Sequence, residues 1–341
     1  MIKPRGKAII VILALVVTVA AVAAAWVIPY FYDRAGVKAM VRVSPGMTFV
    51  SLKDSLDIYC NEGFADRVVR VMSWMDVDLS SRCGAYKITP EDNPFSVARR
   101  IRNREQTPVK LTFNNIRLKE QFAQRVSQRL MMPADDLIKA MADSAVCSKY
   151  GKSTVTIVNI LLPDTYEVYW DITPEELLDR MYGYYMKFWD ESRVKKAKAI
   201  GLSPDEVQVL ASIVEEETAR ADERGMVARL YLNRLDRGMM LQADPTVKYA
   251  IGDFSIRRIT NAMLATPSPY NTYLNVGLPP GPIRISSKQA IDAVLNAPKH
   301  DYLYMCAKED FSGYHNFTAS YSQHLSNARR YQAELNRRGI K

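Results

Sequence analysis

The chain has 341 residues, 48% of them hydrophobic, with a formal net charge of +9. That length allows about two ordinary domains and an appendage, and the apolar content excludes a disordered or repeat-built chain. The positive balance would suit an anionic partner, but Lys and Arg are scattered along the whole length with no Gly-rich phosphate loop or nucleic-acid motif, so no nucleic-acid partner is expected.

Lys3, Arg5 and Lys7 precede an uncharged apolar run from Ala8 to Ile28, with Trp26 near its end and Tyr30 and Tyr32 just beyond it, where interfacial aromatics belong. The pattern predicts a cytoplasmic tail over 1–7 and a single membrane-crossing helix over 8–29 in contact with the lipid bilayer. The bulk of the chain is expected outside the cell (inner) membrane. A cleavable signal peptide competes through Ala23-Ala24-Ala25, against the length of the apolar run. Cys60, Cys83, Cys147 and Cys306 would then face an oxidising space. They lack metal-type spacing, and Cys60 with Cys83 is the pairing that proximity favours.

Beyond the anchor, Val41–Val43 reads as a strand, the segment around Phe49, Leu52 and Leu56 and the segment 65–75 as helices, and Ala85–Ile88 as a second strand. A turn over Pro90–Pro94 leads to a short basic helix ending near Arg104, and 109–113 alternates as a half-buried strand. Residues 38–113 thus form a small α+β module. From Leu118 to Asp143 the pattern is helical with a break at Pro133. A polar loop over 148–153 is the expected internal seam, and Leu162-Pro163-Asp164-Thr165-Tyr166 enters an alternating strand. Thr173-Pro174-Glu175-Glu176 and Ser203-Pro204-Asp205-Glu206 share one helix-start grammar: a capping hydroxyl, Pro in the first turn and Glu at the third position. Between them, 193–198 reads as a basic connector.

The helix from Ser203 carries Glu215, Glu216 and Glu217 in a row inside an apolar segment. If it runs on past Asp222, its phase aligns Glu217 with Leu210, Ile213, Val214 and Ala221 on the buried stripe. Glu216 falls beside Ser212, free to pair with Arg220 in solvent, and Glu215 falls on an intermediate small-residue face. A carboxyl on an apolar stripe has a raised pKa and can hold a proton near neutrality, as a general acid must. The plain alternative is an ion pair of Glu217 with Arg220 or Arg224. Downstream, Asp244-Pro245 is expected to cap a helix beside Gln242. Tyr270-Asn271-Thr272-Tyr273 and Gly277–Ile283 place aromatic rings beside amides, which suits a sugar site and equally a rigid turn. The three histidines form no zinc motif, no nucleophile elbow occurs, and neither metal nor cofactor is expected.

These segments resemble the endolytic murein transglycosylase (YceG-like) family. The resemblance rests on Ala211–Thr218, Asn233-Arg234-Leu235, Leu241–Val247, Pro269–Tyr273 and Gly277–Ile283, in one order. It implies an α+β fold: the N-terminal helix, a LysM-like glycan-binding module over 38–113, and a helical connector leading into a mixed α/β catalytic domain over 114–341, with its core at 155–341. It also implies Glu217 as catalytic acid, the second glutamate of the Glu-x-Glu-Thr pattern. Glu215, Asn233, Gln242, Asp244, Thr246, Tyr270, Asn271, Thr272, Tyr273 and His315 become candidate substrate-binding residues, with His324 matching a further family histidine. Ile285-Ser286-Ser287 and the neighbours of His324, Gln323 and Leu325, depart from the family pattern. The activity implied is cleavage of the MurNAc-β-1,4-GlcNAc bond in peptidoglycan glycan strands with 1,6-anhydro ends, with peptidoglycan synthases as further partners. A hydrolytic muramidase on the same site and a non-catalytic wall-binding division scaffold remain the competing readings.

Overall fold

The computed structural model describes residues 4–256 and 258–339. Lys3, one of the cations of the expected cytoplasmic tail, lies outside them. The chain divides into two compact units. The first holds the residues up to Lys110 together with Arg129–Met131 and Glu167–Ile172, and the second holds the remainder.

The first unit opens with α1 (Pro4–Tyr32), whose stretch Ile9–Tyr32 is long and apolar enough to cross a membrane, with its most apolar window unburied. Only the C-terminal end docks: Tyr30 is buried, with its ring 4.8 Å from that of Trp74. Then follow β1 (Ala39–Val43), α2 (Phe49–Asp57), α3 (Phe64–Trp74), β2 (Gly84–Ile88) and α4 (Pro94–Arg102). β1 and β2 pair antiparallel with Val41 opposite Tyr86. Val41 and Val43 of β1 and Tyr86 and Ile88 of β2 join Leu52, Leu56, Val68, Met72 and Ile101 in one core. Each helix starts from a local signal. Thr48 Oγ1 accepts from the Ser51 amide before α2, and Asn93 and Ser96 form a reciprocal capping box before α4, with Pro94 in its first turn.

The second unit begins within β3 (Val109–Phe113), which forms a two-stranded sheet with β4 (Asp164–Val168). Between the two strands lie α5 (Lys119–Ser127), α6 (Ala134–Ala142) and α7 (Ser144–Ser148). The chain continues through α8 (Pro174–Phe188), α9 (Glu191–Ala199), α10 (Pro204–Glu217), α11 (Arg224–Asp236), α12 (Asp244–Ile251), α13 (Asn261–Leu264) and α14 (Lys288–Leu295). A hairpin of β5 (Tyr304–Ala307) and β6 (His315–Thr318) and the final helix α15 (Tyr321–Arg337) close the unit.

Three expectations change. The polar loop 148–153 lies inside the second unit; the chain first changes unit at Lys110–Leu111 and does so again on either side of Arg129–Met131 and of Glu167–Ile172. The basic segment 193–198 is helical, because Asp190 caps α9 and Ala197 turns into the core. All four cysteines are free thiols: Cys83 Sγ faces Met131 Sδ at 3.5 Å, and Cys147 is buried.

In the first unit Asp92 holds the turn before α4. Burial alone would raise its carboxyl. Bidentate bonds of 2.8 Å from Arg100, with further bonds at Thr89 and Ser96, outweigh that and hold it down at about 2. Because the folded value lies below the ordinary one, the pair stabilises the fold above pH ~4 and loses this contribution as pH falls towards 2. Arg100→Met is expected to cost roughly 2 kcal/mol at pH 7. Denaturant melts at pH 7 and pH 2.5 should show a penalty at the lower pH reduced to about a third of that at the higher.

Candidate active site

The site is built on α10. Ser203 and Glu206 close a full capping box at its start, with Pro204 in the first turn. Every residue from Val207 to Val214 is buried, so this is a core helix and not one with a single apolar stripe. Its two internal polar residues are both satisfied. Gln208 accepts from the Trp189 indole and donates to the Asn159 carbonyl, and Ser212 Oγ accepts from the Ile283 amide at 3.0 Å.

The helix ends at Glu217. Thr218 is extended (φ −137°, ψ 130°), so Arg220, Ala221 and Asp222 leave the helical phase that the sequence pattern assumes. The Thr218 hydroxyl donates to Glu223 Oε2 at 3.2 Å, turning the chain towards α11.

The three glutamates therefore meet different partners. Glu215 accepts from the Ser287 amide at 2.9 Å and lies 3.7 Å from Arg224 Nη2 and 3.6 Å from Arg284 Nε, bracing α10 against the start of α14. Glu216 is neither solvated nor paired with Arg220: Arg117 at 2.5 Å and Arg284 at 2.8 Å hold its two oxygens, and its side chain is 16% exposed. Glu217 has no cation within 4 Å among the described residues, which removes the ion-pair alternative; its Oε1 accepts from the Tyr231 hydroxyl at 2.7 Å.

Glu217 opens onto a cavity of about 230 Å³ shared with Tyr231, Arg234, Gln242, Asp244, Tyr273 and His315. Burial pushes the Glu217 carboxyl up to about 7. The Tyr231 hydrogen bond pulls in the opposite direction, and the Asp244 charge adds to the rise. Burial and the neighbouring glutamate drive the Tyr231 phenol well above its ordinary range, so it remains a donor.

Of the expected substrate-binding residues, Gln242, Asp244, Tyr273 and His315 line this cavity. Asp244 accepts from the Tyr273 hydroxyl at 2.6 Å, and the residue before α12 is Ala243, so Asp244 is a cavity residue and not the cap. His315 is clamped from behind: Glu223, itself buried, takes its backbone amide and its Nδ1, each at 2.7 Å.

The others form a supporting layer. Thr246 and Thr272 are buried with hydroxyls 2.8 Å apart, and Thr272 receives the Ala243 amide, locking the Gln242–Asp244 turn to the 270–273 loop. Asn271 donates to the carbonyls of Leu264 and Thr266, and Asn233 to those of His300 and Tyr302. The Tyr270 ring packs on Tyr249 at 4.7 Å. Gly281 is required by contact, since a Cβ there would lie 2.5 Å from Val155 Cγ1. His324 stacks on Tyr304.

Tyr231, Arg234 and Glu223 are the residues that sequence reasoning leaves out. Arg234 had a visible signal: an Arg inside the Leu-Tyr-Leu-Asn-Arg-Leu run must find buried acceptors. It donates to the carbonyls of Leu303 and Leu241, each at 2.7 Å, fixing the cavity wall. Tyr231 and Glu223 had none. Among the described residues no group of three His, Cys, Asp or Glu side chains is placed to hold a metal.

Fold and site define a mixed helix-and-strand chain with one protonable glutamate at the end of a core helix, facing a polar cleft. A model of the YceG-like family matches residues 41–330, and the chain belongs to that family. It is 38% identical over 146 residues to a protein of Bacillus subtilis (strain 168) named endolytic murein transglycosylase, covering 43% of this chain and 39% of that one. A protein of the same name from Streptococcus pneumoniae serotype 2 (strain D39) is 36% identical over 151 residues, covering 43% of this chain and 27% of that one. The match thus spans about two-fifths or less of these relatives' length. The 2.6 Å crystal structure of a putative yceG-like protein from Listeria monocytogenes superposes with a TM-score of 0.56 at 26% identity, covering 85% of this chain and 98% of the other.

Tyr231→Phe removes the bond that favours the Glu217 carboxylate. The Glu217 pKa is expected to rise by about one unit, measured by carboxyl-carbon NMR on glutamate-labelled protein. Because the folded Glu217 value lies above the ordinary one, stability is greatest with the group protonated and falls as pH rises through 7. Glu217→Gln should remove this fall and gain on the order of 2 kcal/mol at pH 8.5, read in denaturant melts.

Proposed function

We propose that the chain is a membrane-anchored endolytic lytic transglycosylase of peptidoglycan. It would cut the MurNAc-β-1,4-GlcNAc bond within nascent glycan strands and leave 1,6-anhydro-MurNAc ends. The observation that carries this reading is the state of Glu217: a carboxyl raised to about 7, without a cation partner among the described residues, facing a polar cleft. Such a group holds a proton at neutral pH and can release it to a leaving oxygen.

In the first step Glu217 protonates the glycosidic oxygen as the C1–O bond breaks, leaving an oxocarbenium-like centre. The Glu217 carboxylate then takes the proton of the MurNAc C6 hydroxyl while O6 bonds to C1 and closes the anhydro ring, which restores the protonated acid. The nucleophile belongs to the same sugar, so its effective concentration is high and no activated water is needed. Tyr231 stabilises the carboxylate between the two steps. Gln242, Tyr273 and His315 supply donors and an aromatic face for the sugars, with Glu223 fixing the His315 ring.

The first unit supports the LysM-like reading through its strand-helix-helix-strand order with an antiparallel pair. In this reading it retains the glycan, while α1 confines the enzyme to strands near the membrane and to the synthases that make them, with the chain beyond α1 outside the inner membrane.

One observation favours hydrolysis instead. Asp244 shares the cavity with Glu217, and paired carboxyls are what a water-using glycosidase employs. Mass spectrometry of digested glycan decides between them. Anhydro ends in wild type and their loss by at least a hundredfold in Glu217→Gln are expected. Reducing MurNAc ends would establish the muramidase, no cleavage by wild type would leave the wall-binding scaffold, and cleavage undiminished in Glu217→Gln would remove Glu217 as the acid. The kcat/KM profile should fall as pH rises through about 7, as the acid loses its proton.

A further inference from the structure

A second cavity, of about 380 Å³, lies between the end of α1 and the start of α3 and has no part in glycan cleavage. Trp26 and Tyr30 line it from α1, and Gly63, Asp66, Arg67 and Arg70 from the α3 side. Its depth in the bilayer follows from α1: the apolar span ends at Tyr32, and Trp26 and Tyr30 occupy the belt where amphipathic rings meet lipid headgroups. The last turn of α1 is anchored to the first unit by the Tyr30–Trp74 and Phe31–Phe95 ring contacts and by a 2.8 Å bond from Asn93 Nδ2 to the Phe31 carbonyl. The cavity is therefore formed by docked elements.

Its donors outnumber its acceptors. Arg67 pairs with Asp33 through Nη2 at 2.5 Å, while its Nε is buried and has no acceptor. Arg70 has no carboxylate within 4 Å among the described residues; it stands 5.8 Å over the Trp26 ring and reaches the Tyr30 hydroxyl at 3.4 Å. α3 starts at Gly63 with no side-chain cap, leaving the positive end of its dipole at the cavity wall. A buried donor without an acceptor is costly, and a phosphate oxygen is the acceptor that guanidinium groups and helix starts both accommodate.

Asp66 selects among phosphates. It is exposed on the first turn of α3, and its nearest cation, Lys53, stands at 3.7 Å. With Arg67 balanced by Asp33, the wall presents one uncompensated cation, Arg70, and one loosely held anion, Asp66. This suits a zwitterion better than a purely anionic head.

We propose that the cavity binds the headgroup of a phospholipid bearing both a phosphodiester and a primary ammonium, a phosphoethanolamine lipid. The phosphate would lie on Arg67 and Arg70 and the ammonium at Asp66.

The test uses the full chain in neutral detergent, with lipid retention read by native mass spectrometry after adding phosphatidylethanolamine or phosphatidylglycerol. One phosphatidylethanolamine retained in preference to phosphatidylglycerol is expected. Retention should drop roughly tenfold in Arg70→Gln, and Asp66→Asn should invert the preference between the two lipids. Both side chains are exposed, so both variants should fold, and the Asp66 variant tests selectivity independently of the Arg70 one. Undiminished retention in Arg70→Gln, equal retention of the two lipids by wild type, or displacement of the lipid by inorganic phosphate would each overturn the proposal.

Discussion

The second unit depends on the burial of α10 over its middle, Val207–Val214. A helix enclosed on all sides has no face on which to solvate polar groups, so each one it carries must be matched by another element. Gln208 is matched by Trp189 and Asn159, Ser212 by the Ile283 amide, and the two ends by the Ser203 capping box and the Thr218–Glu223 turn. The surrounding segments are placed by these obligations. The 283–287 segment crosses α10 where Ser212 and Glu215 need amide partners, and this crossing positions α14.

Three glutamates at the C-terminal end of such a helix are unfavourable twice over, through mutual repulsion and through the negative end of the helix dipole. Arg117, Arg224 and Arg284 relieve two of them. Arg284 touches both Glu215 and Glu216, so a single guanidinium ties the helix end to the loop before α14. The third is left with a neutral donor. A carboxyl group in that position lowers its free energy by keeping its proton, and this property makes Glu217 chemically useful. Glu215 and Glu216 are thus the two glutamates held by arginines, and Glu217 is held by none within 4 Å among the described residues.

What could be read in advance divides by distance along the chain. The capping boxes at Thr173 and Ser203 are written within four residues, and the helices start where those residues say. The 41–43 and 85–88 segments read as strands, and the structure pairs them. Glu216 was read as solvated because its partners lie 99 and 68 residues away at Arg117 and Arg284, beyond any local pattern. The stop of α10 was also invisible. Neither Gly nor Pro marks it, and it depends on a Thr218–Glu223 bond made only once α11 is in place. The same limit explains Thr246, Asn271 and Thr272. Polar residues beside aromatic rings suit a sugar cleft, but here their hydroxyl and amide groups are consumed in fastening one turn to another. Composition cannot distinguish a polar group that waits for a ligand from one already satisfied.

The fastening layer still shapes the chemistry at one remove. By holding the Gln242–Asp244 turn against the 270–273 loop, it brings the Tyr273 hydroxyl onto Asp244 Oδ1. One oxygen of the second cavity carboxyl is thereby engaged, and only Oδ2 remains to orient a water molecule. Ring closure by a hydroxyl of the bound sugar needs no such orientation, because the sugar that is being cleaved carries the nucleophile with it. If the proposed reaction holds, a cleft with a protonated Glu217 and an Asp244 already engaged by Tyr273 would hinder the hydrolytic route more than the intramolecular one. In the proposed reaction that balance would rest on Thr246, Thr272 and Tyr273, which fasten the turn and would not themselves exchange a proton with the substrate.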